Sequence, residues 1–212
     1  MKKNIIVFGA SGGVGSQVVT QALDKGFMVT AIVREPAAFN LEHPNLTIEK
    51  GDVTQPGSFL GAMRGKEAVI SAIGSGNTKP TMVYSQGIRN IIAAMRIRDV
   101  PRISAVSAGG LYLNATMGPI RQFLVKHILQ RILREPYDDL RIMEHELRAT
   151  ELQYTIVRPP RLTNKPLRGE YRSAINGHLQ SPSSIARADV AHFLVNQLSN
   201  SETFKTIVEI AY

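Results

Sequence analysis

The chain has 212 residues, no cysteine, a formal net charge of +8 at pH 7 and a hydrophobic fraction of 43%. That length holds one well-buried core and is short for two. Lack of cysteine excludes a disulfide framework, a thiolate metal site and a cysteine nucleophile, and it fits a cytoplasmic location. No apolar run reaches the roughly 18 residues of a membrane span, so no membrane association is expected. The positive charge favours an anionic partner, either nucleic acid or a phosphorylated small molecule. No zinc-finger spacing or aromatic RNA-binding signature accompanies it, so nucleic acid is not expected.

In chain order, NIIVFG (4–9) reads as a first strand rather than the core of a leader, because glycines interrupt it at once. A glycine-rich turn then opens a helix marked by Val18, Val19, Ala22 and Leu23. MVTAIV (28–33) and LTIEKG (46–51) read as strands, and Phe59, Leu60 and Met63 mark a short helix. EAVISAIG (67–74) is the next strand, followed by a helix carrying Ile88, Ile91, Ile92 and Met95, and then the strand RISAVSA (102–108). Leu140, Met143 and Leu147 mark a helix before the strand YTIVRP (154–159). Ala191, Phe193, Leu194 and Leu198 mark the last helix, before the strand TIVEI (206–210).

The strands are rich in valine and isoleucine and bounded by Gly, Pro, Asp or Asn, as strands buried on both faces should be. Strand and helix alternate along the whole chain. The expected fold class is therefore α/β: a Rossmann-like, doubly wound parallel sheet with helices on both faces, one domain over 1–212. Two segments break the rhythm. Residues 109–138 include the basic stretch RQFLVKHILQRILR (121–134), read as a solvated helix face over an apolar stripe. Residues 159–187 are rich in Pro, Ser, Asn and Arg and read as irregular. Both follow carboxyl ends of strands, where open α/β sheets place ligands, and are expected to wall a substrate pocket.

The turn after the first strand reads GASGGVG (9–15). Strand, glycines and helix in that order are the setting in which a glycine triplet cradles a dinucleotide. Gly9 is expected to allow the sharp turn, Gly12 the close approach of a pyrophosphate, and Gly15 the packing of helix on sheet. The helix amino terminus offers free N–H groups to phosphates. Ser11, Gly13 and Val14 belong to the same cofactor-binding loop, with the Ser11 hydroxyl able to bond a phosphate. Arg34 stands at the end of the second strand, where a positive residue accommodates a 2′-phosphate and an acid would hold a 2′-hydroxyl. NADP(H) is therefore preferred over NAD(H). Glu35 keeps the NAD alternative open, since a shift of one residue would place it there.

The spacing G-x-x-G-x-x-G, with GDV (51–53), SAIG (71–74), VSAGG (106–110), TIVRPPRLT (155–163) and IARADVA (185–191), resembles an atypical short-chain dehydrogenase/reductase. More narrowly, it is similar to the NAD(P)H-binding group that includes biliverdin-IXβ/flavin reductases and NmrA-like proteins. The resemblance covers essentially the whole chain. It implies that Asp52 and Val53 flank the adenine, and that Ala72, Ile73 and Gly74 line the ribose and pyrophosphate. Ser107 would face the nicotinamide, with RPP (Arg158, Pro159 and Pro160) holding its carboxamide edge through backbone groups.

The wider superfamily uses a Tyr-x-x-x-Lys pair for proton transfer, and this chain departs from it. Pro136 and Leu140 fall at the aligned positions. One residue along, Tyr137 and Arg141 keep the mutual spacing. Pro136 is expected to disturb the helix there, and Asp138 and Asp139 to oppose ionisation of the phenol. Tyr137 is thus a weak candidate acid, and Ser107, at a strand's carboxyl end, the better polar candidate. Arg161 is placed to attract an anionic substrate and Tyr84 to touch the pocket. His43, His127, His145, His178 and His192 are scattered without ligand spacing, so no metal site is expected; His145 is read with Glu144 and Glu146 as a solvated helix face. Asp189 is read as a cap of the last helix.

Two functions follow as expectations. One is an NADPH-dependent reductase acting on a small planar conjugated acceptor such as a flavin, quinone or tetrapyrrole. The other is a non-catalytic, NmrA-like sensor of NADP(H) that signals to a protein partner.

Overall fold

A computed structural model describes residues 3–76, 82–112 and 133–212. Strand β1 (Asn4–Phe8) lies inside the sheet because its side chains fill two cores. Ile5 and Val7 enter one, Ile6 and Phe8 the other, and all four are fully buried. A two-residue period with both faces apolar is what helices on both sides demand. β2 (Met28–Val33) and β4 (Ala68–Ser71) flank it in parallel, with Val7 beside Ala31 and Ile70.

The sheet is completed by β3 (Leu46–Lys50), β5 (Arg102–Val106), β6 (Gln153–Arg158), β8 (Arg172–Ile175) and β10 (Thr206–Ala211). Its order is β3-β2-β1-β4-β5-β6-β10-β8. Helices α1 (Gly13–Asp24) and α4 (Arg187–Asn196) cover one face, and α2 (Val83–Ile97) and α3 (Arg134–Arg148) the other. The chain reverses direction across the sheet between β1 and β4, which opens a crevice at their carboxyl ends. Among the described residues no helix is long and apolar enough to cross a membrane.

The sheet departs from expectation in several places. β8 runs antiparallel to β10 at the edge. The segment expected to be irregular contains β8 and a small parallel pair, β7 (Arg161–Thr163) with β9 (Ser184–Ala186). These strands have three or four residues, too few for a period to show. β3 is half-exposed rather than buried on both faces, because it is an edge strand. The expected helix near Phe59 is a series of turns: the Leu60 and Arg64 amides donate to the Gly57 and Gly61 carbonyls. Gly57, Gly61 and Gly65 weaken helix propagation there. Phe59 and Met63 still reach the core, Phe59 edge-on to Phe8 with ring centroids 4.8 Å apart. Residues 113–132, with most of the basic stretch, lie outside the described residues.

Asp189 does not cap its own helix. Fully buried, it accepts the Gly169 amide at 2.7 Å and the Tyr212 hydroxyl at 2.5 Å. It thereby ties the loop after β7 to the end of β10. Beside it, the Tyr171 hydroxyl bonds His192 Nδ1 at 2.9 Å. Burial, helped by the Asp189 charge, pushes the Tyr171 phenol up to about 12 from 10.0. An acid whose folded pKa is raised favours folding only while it stays protonated. That contribution is expected to be complete below pH 10.0 and to be lost as pH rises through about 12. Urea denaturation at about pH 9 and about pH 11.5 checks this, and Tyr171→Phe should flatten the decline.

Candidate functional site

A cleft of about 1240 Å³ runs across the carboxyl ends of the strands. A typical single-ligand site occupies roughly 300–1,000 Å³, so there is room for a dinucleotide and a second molecule. Its floor begins at Gly9, which has φ +73° and lies so close to β4's exit that a Cβ would stand 2.4 Å from the Ala72 carbonyl oxygen. The Gly12 amide donates to the Gly9 carbonyl at 2.9 Å and closes the turn. Gly15 packs rather than lines: a Cβ there would meet the Gly9 carbonyl oxygen at 2.0 Å. Ser11, Gly12, Gly13 and Val14 border the cleft. The first turn of α1 carries no acidic residue and its N-cap no side-chain bond, so its partial positive charge meets the cleft unneutralised.

At one end Arg34 follows the last residue of β2, is exposed and lines the cleft. Glu35 begins the next short turn, outside the lining. Asp52 Oδ1 accepts the Thr54 amide at 2.8 Å and the Thr54 hydroxyl at 2.7 Å. These bonds, with the nearby Arg34 charge, hold its carboxyl below the usual range. The Val53 carbonyl accepts from Asn90 Nδ2 at 2.8 Å, which pins this loop to α2. Val53 lines the cleft, as do Ala72, Ile73 and Gly74 after β4.

At the other end Ser107 follows β5. Its Oγ donates to Glu144 Oε1 at 2.6 Å. Glu144 lies on α3 with its side chain 2% exposed, not on the solvated face expected of its neighbourhood; His145 beside it is exposed. Arg158, at the end of β6, closes the cluster through Nε to Oε1 at 2.9 Å and Nη2 to Oε2. Burial alone would pull the Arg158 guanidinium down, but its bonds to Glu144 outweigh this and hold it above its ordinary value. A carboxylate offers only lone pairs. The Ser107 proton is therefore committed to Glu144, and towards the cleft the hydroxyl can only accept.

Tyr137 lines the cleft and is 7% exposed. Burial raises its pKa, and the opposing charge of Arg141 is the weaker influence. Arg141 turns to Asp138 Oδ1 at 2.5 Å and the Leu111 carbonyl at 2.8 Å. Pro136 does not disturb the helix, because α3 starts at Arg134 and a proline in the first turn breaks no helical bond. The aspartates are also otherwise engaged. Asp139 caps α2, accepting the Tyr84 amide at 2.9 Å and the Ser85 amide at 3.2 Å, while Asp138 pairs with Arg141 and Arg134.

Tyr84 also lines the cleft, its hydroxyl accepting the Ser75 amide at 3.0 Å. Pro159, Pro160 and Arg161 border it, and the Pro159 carbonyl already accepts the Gly109 amide at 2.8 Å. Of the residues picked out from sequence, all but Gly15 thus meet in one cleft. Two participants escaped that reading, Glu144 and Arg187, and Arg158 entered it only through its backbone, not its guanidinium. A charged residue on the apolar stripe Leu140-Met143-Leu147 was the available signal for Glu144. Among the described lining residues are four arginines, of which Arg34, Arg161 and Arg187 are left after Arg158 pairs with Glu144, against two carboxylates (Asp52 and Glu209), a balance suited to a phosphorylated ligand.

The model of an NAD(P)H-binding family matches residues 9–201. The chain belongs to that family. An uncharacterized chloroplastic protein of Arabidopsis thaliana is 29% identical over 221 residues, 98% of this chain and 76% of that protein. The photosystem II assembly factor Ycf39 of Cyanophora paradoxa is 28% identical over 134 residues, covering 62% of this chain but only 41% of the factor's length. A short-chain dehydrogenase/reductase from Veillonella parvula, solved in complex with NADP, superposes with a TM-score of 0.83. The alignment covers 100% of this chain and 95% of that one at 20% identity, a likeness of fold. The uncapped helix end, the glycine turn that no Cβ could enter and the arginine-rich walls of this NAD(P)H-binding protein fit a dinucleotide phosphate group.

Proposed function

We propose that the protein is an NADPH-dependent reductase acting on a planar conjugated acceptor such as a flavin, quinone or tetrapyrrole. Bound NADPH would supply the hydride. The observation that carries this reading is the hydrogen bonding and burial of the polar groups at the far end of the cleft. The Ser107 hydrogen is held by Glu144, and the Tyr137 phenol is buried with its pKa raised. Reducing an isolated carbonyl calls for an acid that protonates the developing alkoxide. A conjugated ring spreads the added charge and can take its proton from water, so stacking and proximity suffice.

The apolar wall of Val83, Leu133, Tyr137 and Leu140 suits a flat ring, and the exposed Arg161 suits an acidic substituent on it. Within this proposal Ser107 accepts a hydrogen bond from ligand or carboxamide. Arg34 reads the 2′-phosphate, with Glu35 outside the cleft. We assign the positive charge of the cleft to cofactor and acceptor rather than to nucleic acid, and the setting to the cytoplasm.

Mixing the protein with NADPH and FMN or a quinone and following absorbance at 340 nm tests the reading. Sustained oxidation above background is expected. Tyr137→Phe should keep activity within about threefold, whereas a true general acid would cost at least about a hundredfold. A second reading, an NmrA-like NADP(H) sensor with a protein partner, draws support from the relative named as an assembly factor. NADPH binding without turnover on any planar acceptor would favour it.

A further inference from the structure

Arg187 opens α4, and its side chain lies against the glycine turn at the edge of the cleft. A Cβ on Gly13 would stand 2.7 Å from Arg187 Cδ and 2.8 Å from Nε. Gly13 has an ordinary helical backbone, and no backbone atom crowds it. Glycine is needed there only to leave room for the arginine stem. Among the described residues the guanidinium has no acidic partner; it bonds Asn164 Oδ1 at 2.7 Å through Nη1. A cation is thus laid over the uncapped end of α1, where its charge opposes the helix dipole and no protein carboxylate among the described residues neutralises it. The rigid packing of α4 on α1 holds it at that place.

We propose that Arg187 is a second pyrophosphate ligand, a latch that exchanges Asn164 for phosphate oxygens when a dinucleotide occupies the cleft. The proposal rests on the reading of the cleft as a dinucleotide site. It separates two tasks: Arg34 discriminates between the cofactors, whereas Arg187 holds the pyrophosphate they share. Arginine suits the task because its planar fork matches phosphate oxygens two at a time.

Calorimetry on the full chain with NADP⁺ and NAD⁺ tests it. Arg187→Met should weaken both dinucleotides by the same factor, about thirtyfold, the scale of a charge-assisted bond. Arg187→Lys should recover part of the loss, and the dependence of affinity on salt should be shallower in Arg187→Met. Asn164→Ala removes the resting partner but leaves the charge, and should bind at least as tightly as the parent. Gly13→Ala, which crowds the stem, should weaken binding in the parent and add little in the Arg187→Met background.

Unchanged affinity of Arg187→Met for both dinucleotides would overturn the proposal. So would a loss confined to NADP⁺, which would move the arginine to the 2′-phosphate. An equal loss in Asn164→Ala would also overturn it, by showing that loop anchoring matters rather than charge. Failure of the parent protein to bind either dinucleotide is a separate outcome, which removes the dinucleotide reading itself.

Discussion

Arg34→Glu is expected to weaken NADPH binding about a hundredfold while leaving NADH within about threefold of its original affinity. The proposed contact is a charge-assisted pair between a guanidinium and a dianionic phosphate, at about 1.5–3 kcal/mol for each such bond. The substitution removes that attraction and sets a carboxylate against the phosphate. Nearby Asp52, already held ionised by Thr54 and helped by Arg34, would add to the repulsion. NADH has only a hydroxyl at that position, so a carboxylate there is tolerated or even accepts from it. Calorimetric titration with both cofactors reads the ratio directly. Equal losses would sink the role given to Arg34, because only the 2′-substituent distinguishes the ligands.

Glu144→Ala is expected to destabilise the fold by about 3–5 kcal/mol, the cost of leaving a buried charge without its partner. Arg158 is the charge left behind: its side chain is 11% exposed, and Glu144 takes both its Nε and its Nη2. The Ser107 hydroxyl loses its acceptor in the same step. Urea denaturation measures the loss, and a drop below about 1 kcal/mol would mean that water reaches the pair. Arg158→Met combined with Glu144→Ala should be more stable than Glu144→Ala alone, since the orphaned charge is gone. Freed from Glu144, Ser107 becomes able to donate, so the double variant also asks whether its orientation matters to turnover.

Much of this site is legible in the amino-acid sequence. Gly9 and Gly15 announce the turn because only residues without Cβ survive contacts of 2.4 and 2.0 Å with backbone oxygen, and at Gly12 a Cβ would still stand a tight 3.1 Å from the Gly9 carbonyl oxygen. Arg34 is legible because it stands directly after a strand whose length its own hydrophobic run sets. Glu144 and Arg187 were far less so. Each is a charged residue on a helix, and sequence gives such residues a solvated face by default. Asp189 was misread as a local cap because its true partners, Gly169 and Tyr212, lie twenty and twenty-three residues away.

The amino-acid sequence by itself determined the α/β alternation, the parallel inner strands and the place of the glycine turn. These follow from periods of two and 3.6 residues and from local steric rules, which act between near neighbours in the chain. Tertiary structure alone decided the antiparallel edge at β8, the β7–β9 pair, the turns replacing a helix near Phe59 and the commitment of the Ser107 proton. Short strands take their bonds from whatever edge is nearby, and a buried charge takes its meaning from the partner that neutralises it. In both cases the deciding atoms belong to residues remote in sequence, brought within hydrogen-bonding distance only when the sheet closes over its two cores.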